Sequence, residues 1–387
     1  MSCSCGFPPV LPRIFIRSGF GIYFVHEIGN AMFDVNRNQP YTLRIQIAAD
    51  QITPNETWDR PYPVLSISTL APAWEWRNPT SYVPQWSFGV QRTLTKDMTL
   101  ETTYVGSAGV HLNRTTYYNE PPPGAPGNFN LRRPFPQLGF VQLVNASSHS
   151  SYHGLQARLQ QRFAHGFTAL SSFSYEKSID NGSGVRQATG DAYVPSNVDN
   201  LRGERGPSAF NFGRRWTTSF LYQLPFGKGK ALLGGWQTGA IFTLQGGFPF
   251  SVGCQSNATY QNTDSTCRAD AVGVSPKLSS PTPNNWYNLS AFVNRIGFTT
   301  GVGPYRFGNS GRNNVVGPGI AALDVSVAKQ FRVTERVHVD FRAEFFNLPN
   351  HPIFGQPGAT VGTLTNGVIG STRLESRQIQ FGLKLSL

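Results

Sequence analysis

Apolar and polar side chains alternate with a period of two in segments of about ten residues, repeated along the whole 387-residue chain. Period two marks a strand whose two faces meet different surroundings. The clearest case lies within Arg336–Leu348, where Val337, Val339, Phe341, Ala343 and Phe345 share one face and His338, Asp340, Arg342 and Glu344 the other. Leu323, Val325, Val327 and Phe331 repeat the pattern just before it, and the two segments read as a hairpin turning around Thr334-Glu335. The final residues do the same with Ile379, Phe381, Leu383, Leu385 and Leu387. Segments beginning at Ile14, Trp86, Met98, Leu155, Phe167, Trp216 and Trp236 complete a set of ten, with Leu43–Ala48 a weaker extra.

The connections between these segments are short and long in strict turn. Short ones fall near 95–97, 164–166, 226–234 and 333–335; long ones cover 26–84, 109–150, 180–213, 248–319 and 349–377. Soluble domains seldom carry structureless loops beyond about 15 residues. An antiparallel transmembrane β-barrel has short periplasmic turns and long extracellular loops as a rule. Eleven residues at ~3.3 Å, tilted by ~45°, rise about 26 Å, which matches the apolar band of such a barrel. Arg158, Arg162, Arg342 and Glu344, with Asp340 and Lys384, then face the lumen as a solvated ladder of cross-strand ion pairs, each worth little. Trp86, Trp216 and Trp236 stand at or near strand ends, where amphipathic rings anchor at a membrane interface.

Composition removes the other classes. Only 14% of residues are charged, and Gly 40 with Pro 28 argues against a helix bundle. With 28 Phe and 14 Tyr, too much apolar surface is present for disorder. The net charge of +12 is scattered, the densest spots being Arg132-Arg133, Arg214-Arg215 and Lys228-Gly229-Lys230, so nucleic acid is not an expected partner. No run approaches the ~18 apolar residues of a membrane-spanning helix, and Met1–Pro12 lacks the basic start and apolar core of a secretory signal. One rival survives, a soluble or secreted all-β binding protein or adhesin, in which Phe341/Phe345 and Phe381/Leu385 would be buried by protein.

No catalytic constellation, cofactor motif or metal set emerges. His26-Glu27 begins like a zincin helix but has no second His at i+4. Gly308–Gly319 (GNSGRNNVVGPG) lacks the Lys-Ser/Thr ending of a phosphate-binding loop, and Gly106–Gly109 has no following helix to make a nucleophile elbow. Cys254 and Cys267, 13 residues apart in the longest loop, are expected to form a disulfide, whereas Cys3 and Cys5 have no partner pair with zinc-site spacing. Asp180, Asp191, Asp199, Asp264 and Asp270 carry the oxygen ligands Ca²⁺ takes, but are read as solvated loop residues.

Four ordered segments add a resemblance: Gln156–Asn181 (QARLQQRFAHGFTALSSFSYEKSIDN), Arg214–Lys230 (RRWTTSFLYQLPFGKGK), Gly235–Val252 (GWQTGAIFTLQGGFPFSV) and Arg342–Pro357 (RAEFFNLPNHPIFGQP). With the closing Ser376–Leu387 (SRQIQFGLKLSL), residues 13–387 resemble the C-terminal barrel of the Oar-like TonB-dependent receptors of acidobacteria, although the final Leu replaces the usual aromatic. Residues 1–12 do not match the family's pattern. The resemblance implies about ten strands of a 22-strand barrel in the outer membrane of a bacterium, in contact with its lipid. It also implies a signal peptide, plug and TonB-binding segment that this sequence does not contain. The chain is therefore expected to be a C-terminal fragment, partnered by the rest of the receptor, with TonB engaged only through the absent segments. An extracellular ligand would be captured by the outer loops. A small autonomous ten-strand barrel is the alternative, an even number that closure permits.

Overall fold

The computed structural model describes residues 2–5, 14–25, 71–124, 129–136, 141–185, 194–227, 232–254, 267–294 and 305–386, with the isolated positions 29, 35, 59 and 230. Leu43–Ala48, His26-Glu27, Lys228-Gly229, Asp191, Asp264 and Leu387 lie outside the described residues.

All ten alternating segments are strands. They are β1 (Ile14–Phe24), β2 (Tyr82–Thr95), β3 (Met98–Tyr117), β4 (Val141–Ala164), β5 (Phe167–Asp180), β6 (Arg214–Gln223), β7 (Trp236–Gln245), β8 (Ile320–Arg332), β9 (His338–Phe346) and β10 (Gln378–Ser386). Each pairs antiparallel with its neighbour in sequence, giving one up-and-down sheet. Ser2–Cys5 adds to the outer edge of β1, and among the described residues β10 has no partner on its far side. The sheet is thus open.

The short connections gather at one end and the long ones at the other. Local chemistry explains the tightest turn: between β4 and β5, His165 (φ 52°) and Gly166 (φ 79°) both take positive φ, the two-residue turn whose twist suits an antiparallel hairpin.

Register keeps the two faces separate across the whole sheet. One row reads Val90–Thr102–Ala157–Phe173–Trp216–Leu244, and the adjacent row on the opposite face reads Gln91–Glu101–Arg158–Ser172–Thr217–Thr243. A slip of one residue would exchange these rows, so alternation fixes the register. Among the described residues no second layer covers the apolar face. Phe381, Leu383 and Leu385 are 68%, 76% and 62% exposed, and Phe173 and Trp216 are exposed too.

Two expectations need correction. The connection expected over 109–150 is shorter, because β3 runs to 20 residues and β4 to 24, with Thr115 paired to Val144 far beyond the alternating stretch. Gly109–Tyr117 and Val141–Ser150 lost their period-two signal because polar side chains stand on both faces there. The backbone ladder continues there through register shifts at Gly109/Leu112 and Leu112/Arg114, and Ala71–Trp74 pairs parallel to β4 beside it. Asp180 and Asp270 are also not solvated: each is 4% exposed. Asp199 is exposed, as expected.

Candidate functional site

Among the described residues, a packed cluster of buried apolar side chains lies in the long connections. Phe250, Val252, Ala269, Tyr287, Ala291, Phe292 and Val315 form it, all from the segment between β7 and β8. Ala359 and Val361, from the connection between β9 and β10, pack against it. Backbone bonds join the two connections: Gly253 N donates to Ala359 O (2.7 Å) and Val361 N to Gly253 O (2.9 Å). Tyr287 is 1% exposed and donates its hydroxyl to Asn366 Oδ1. Burial pushes the Tyr287 phenol up to about 12. Its folded value lies above the unfolded one, so the associated stability is intact below pH ~10 and is lost as pH rises towards 12, by up to about 3 kcal/mol. Tyr287→Phe should flatten this alkaline dependence, read by Trp286 fluorescence against tyrosinate absorbance; an unchanged profile would place the titration elsewhere.

Buried ion pairs tie this core to the end of the sheet. Arg312 Nη2 meets Asp180 Oδ1 at 2.5 Å and donates to Ser183 Oγ at 2.7 Å, while Nη1 donates to the carbonyls of Asp180 (3.0 Å) and Glu204 (3.1 Å). Arg268 pairs with Glu204, and Glu204 Oε1 accepts from Ser196 N (2.9 Å). Within the connection between β7 and β8 itself, the half-exposed Arg306 holds the buried Asp270 through both carboxylate oxygens, at 2.7 and 2.9 Å. The Gly-rich segment 308–319 is the strut that presents Arg312. Gly308 lies so close to the Arg268 carbonyl, and Gly206 to that of Arg312, that a Cβ would collide at either position. Elsewhere in the loops, Arg133 is 4% exposed and donates to Asn119 O (2.6 Å); desolvation lowers its pKa, offset in part by Glu120. Such an assembly uses its charges internally.

The polar face carries a cavity of about 440 Å³ at the level of β5 to β9. Leu170, Leu221, Ile241 and Phe346 give it an apolar floor, with Asp324 and Glu344 at its side.

Of the lumen candidates, Glu344 lines that cavity, and Arg342 pairs with it along one strand at 3.4 Å. Arg158 lies in register opposite Glu101 on the same face, and Arg162 follows the irregularity after Gln161. Trp86 and Trp216 stand towards the long-connection end and Trp236 at the short-connection end, all on the apolar face. Lys329 lies over Trp236 and Phe331, at 5.2 and 4.7 Å, and donates to Leu232 O. Cys254 and Cys267 stand with Cα atoms 5.3 Å apart, within disulfide range, and Cys254 N donates to Cys267 O. Among the described residues no group of three His, Cys, Asp or Glu side chains is placed to hold a metal ion. Sequence reasoning missed the Arg312, Arg268 and Arg306 pairs.

Residues 7–380 match the family described as an outer membrane beta barrel domain. Among solved structures, the outer membrane transporter YddB from Escherichia coli is similar over 97% of this chain and 38% of its own, with TM-score 0.51 and 11% identity. The FrpB iron transporter (F3-3 variant) from Neisseria meningitidis gives TM-score 0.40 at 12% identity, over 97% and 37%. The pyoverdine receptor FpvA from Pseudomonas aeruginosa PAO1 gives 0.42 at 9%, over 95% and 33%. The chain therefore spans under two-fifths of the length of these proteins. No curated protein matches the sequence.

Proposed function

The chain belongs to the outer membrane β-barrel domain family, and from that premise we propose that residues 13–387 form the C-terminal part of a TonB-dependent receptor barrel. It sits in the bacterial outer membrane. The carrying observation is the exposed apolar face of a sequential antiparallel sheet: Phe381 and Leu385, which a soluble protein would bury, are uncovered. In water such a continuous patch is a liability; against lipid it is the required surface. In that solvent every backbone group also needs a partner, so the open edge of β10 calls for further strands, which we assign to the rest of a 22-strand receptor.

The long connections face outward in this reading, and the platform built on Arg312 and Tyr287 is where an extracellular ligand is captured. Arg158, Arg162, Arg342 and Glu344 line the lumen, and Trp86, Trp216 and Trp236 mark the two membrane interfaces. Energised uptake requires a plug and a TonB-binding segment from elsewhere in the receptor. Cys254–Cys267 is assigned as a disulfide that closes a short loop; Cys254→Ser/Cys267→Ser should lower the platform's stability by about 3 kcal/mol. Identical thiol labelling of the native protein with and without reductant would dismiss that bond.

The test is migration on a gel before and after boiling. The chain refolded alone in detergent should gain strand content without a heat-modifiable shift, and should acquire the shift when the remaining barrel strands are supplied. A shift for the chain alone would favour the autonomous ten-strand barrel, and folding without detergent would favour a soluble protein.

A further inference from the structure

Beyond the aromatic rows, the outer face of the sheet turns basic. The row Phe88–Tyr104–Leu155–Tyr175 ends on Arg214, and the next one towards the long connections runs Trp86–Gly106–His153–Lys177. Further along, β4 and β5 form the floor of a cleft of about 620 Å³, lined by Ser147, His149, Ser151, Asn181, Arg202 and Arg205. His149 and Ser151 share the strand parity of Leu155, so they belong to the outer face, and Ser147 follows at the register shift between Ser148 and Asn145. Pairing of Asp180 with Gly206 and Ile179 with Pro207 carries Arg205 to the position beside Asn181 on that face.

Arg202, Arg205, Lys177 and Arg214 are all exposed, and none makes a side-chain hydrogen bond or ion pair with a described residue. The buried acids nearby are already neutralised, Asp180 by Arg312 and Glu204 by Arg268. The cleft therefore holds uncompensated positive charge with hydroxyl and imidazole groups around it. Ile179 lies four residues beyond Tyr175, about 13 Å along the strand and ~9 Å along the membrane normal at the usual tilt. That places the cleft just outside the hydrocarbon, at headgroup depth.

We propose that this cleft binds a phosphorylated headgroup of the outer-leaflet lipid around the barrel. The proposal rests on the reading that the long connections face outward. Arg202 and Arg205 supply paired N–H donors to phosphate oxygens, the arrangement in which guanidinium is strongest. Tyr175 beneath them meets the acyl chains, and Trp86 stands at the interface between the two.

The experiment uses protein extracted from outer membranes in non-ionic detergent and delipidated, with bound lipid counted by native mass spectrometry. The probes are a bis-phosphorylated glucosamine lipid, its dephosphorylated counterpart and inorganic phosphate. The phosphorylated lipid should be retained, about tenfold less tightly by R202A/R205A, and unchanged by R332A/R336A, which removes equal charge at the other end. Equal retention of the dephosphorylated lipid, an unaffected R202A/R205A protein, or displacement by equimolar inorganic phosphate overturns the proposal. Recovery of the protein in the aqueous phase without detergent would overturn the membrane reading itself, and the site with it.

Discussion

Replacing Arg312 by alanine is expected to release the loop platform from the sheet while the strands stay paired. The guanidinium is 3% exposed and serves Asp180, Ser183 and the Glu204 carbonyl together. Its loss leaves the equally buried Asp180 carboxylate without its countercharge, and removing one member of such a pair costs about 3–5 kcal/mol. Because the damage is local, it should show as rapid proteolysis within 181–213 and 246–319, with the strand signal of the sheet unchanged. The double replacement Asp180→Ala/Arg312→Ala should cost less than the sum of its parts, since no orphan charge remains. A loss below ~1 kcal/mol for Arg312→Ala would mean that the platform is held by its apolar core around Tyr287 alone.

The strands were legible because alternation is a local signal, and it survives wherever one face meets an apolar phase. All ten segments show it, from Ile14–Phe24 to Gln378–Ser386. Where both faces are polar the signal vanishes, which is why the far halves of β3 and β4 looked like loop. Other information is long-range in kind. Asp180 and Arg312 are 132 residues apart, and nothing in either neighbourhood names the other. The acids in Pro- and Gly-rich stretches read as solvated because loops usually are. Here the connections are long enough to build a core of their own, which buries them. The one available hint was Gly308–Gly319, whose glycines permit the close backbone approach that brings Arg312 inward.

The face assignment has the sharper test, on strand β8, which has a neighbour on each side. Val325, Ser326 and Phe331 sample three surroundings within seven residues. Val325 lies mid-strand on the apolar face, in register with Ala240 and Phe345. Phe331 shares that face one residue before the end of β8, where Lys329 already places a cation beside Trp236. Ser326 faces the cavity directly opposite Glu344. Val325→Arg should cost about 2–4 kcal/mol and Phe331→Arg only ~0–1 for its charge, because lipid penalises a cation by depth. Ser326→Arg should be close to neutral, its side chain meeting Glu344 in a water-filled space. Denaturant unfolding in detergent reads all three. Equal costs for Val325→Arg and Phe331→Arg would mean that protein, not lipid, covers the face, since a protein layer has no depth gradient. A large cost confined to Ser326→Arg would turn the sheet inside out.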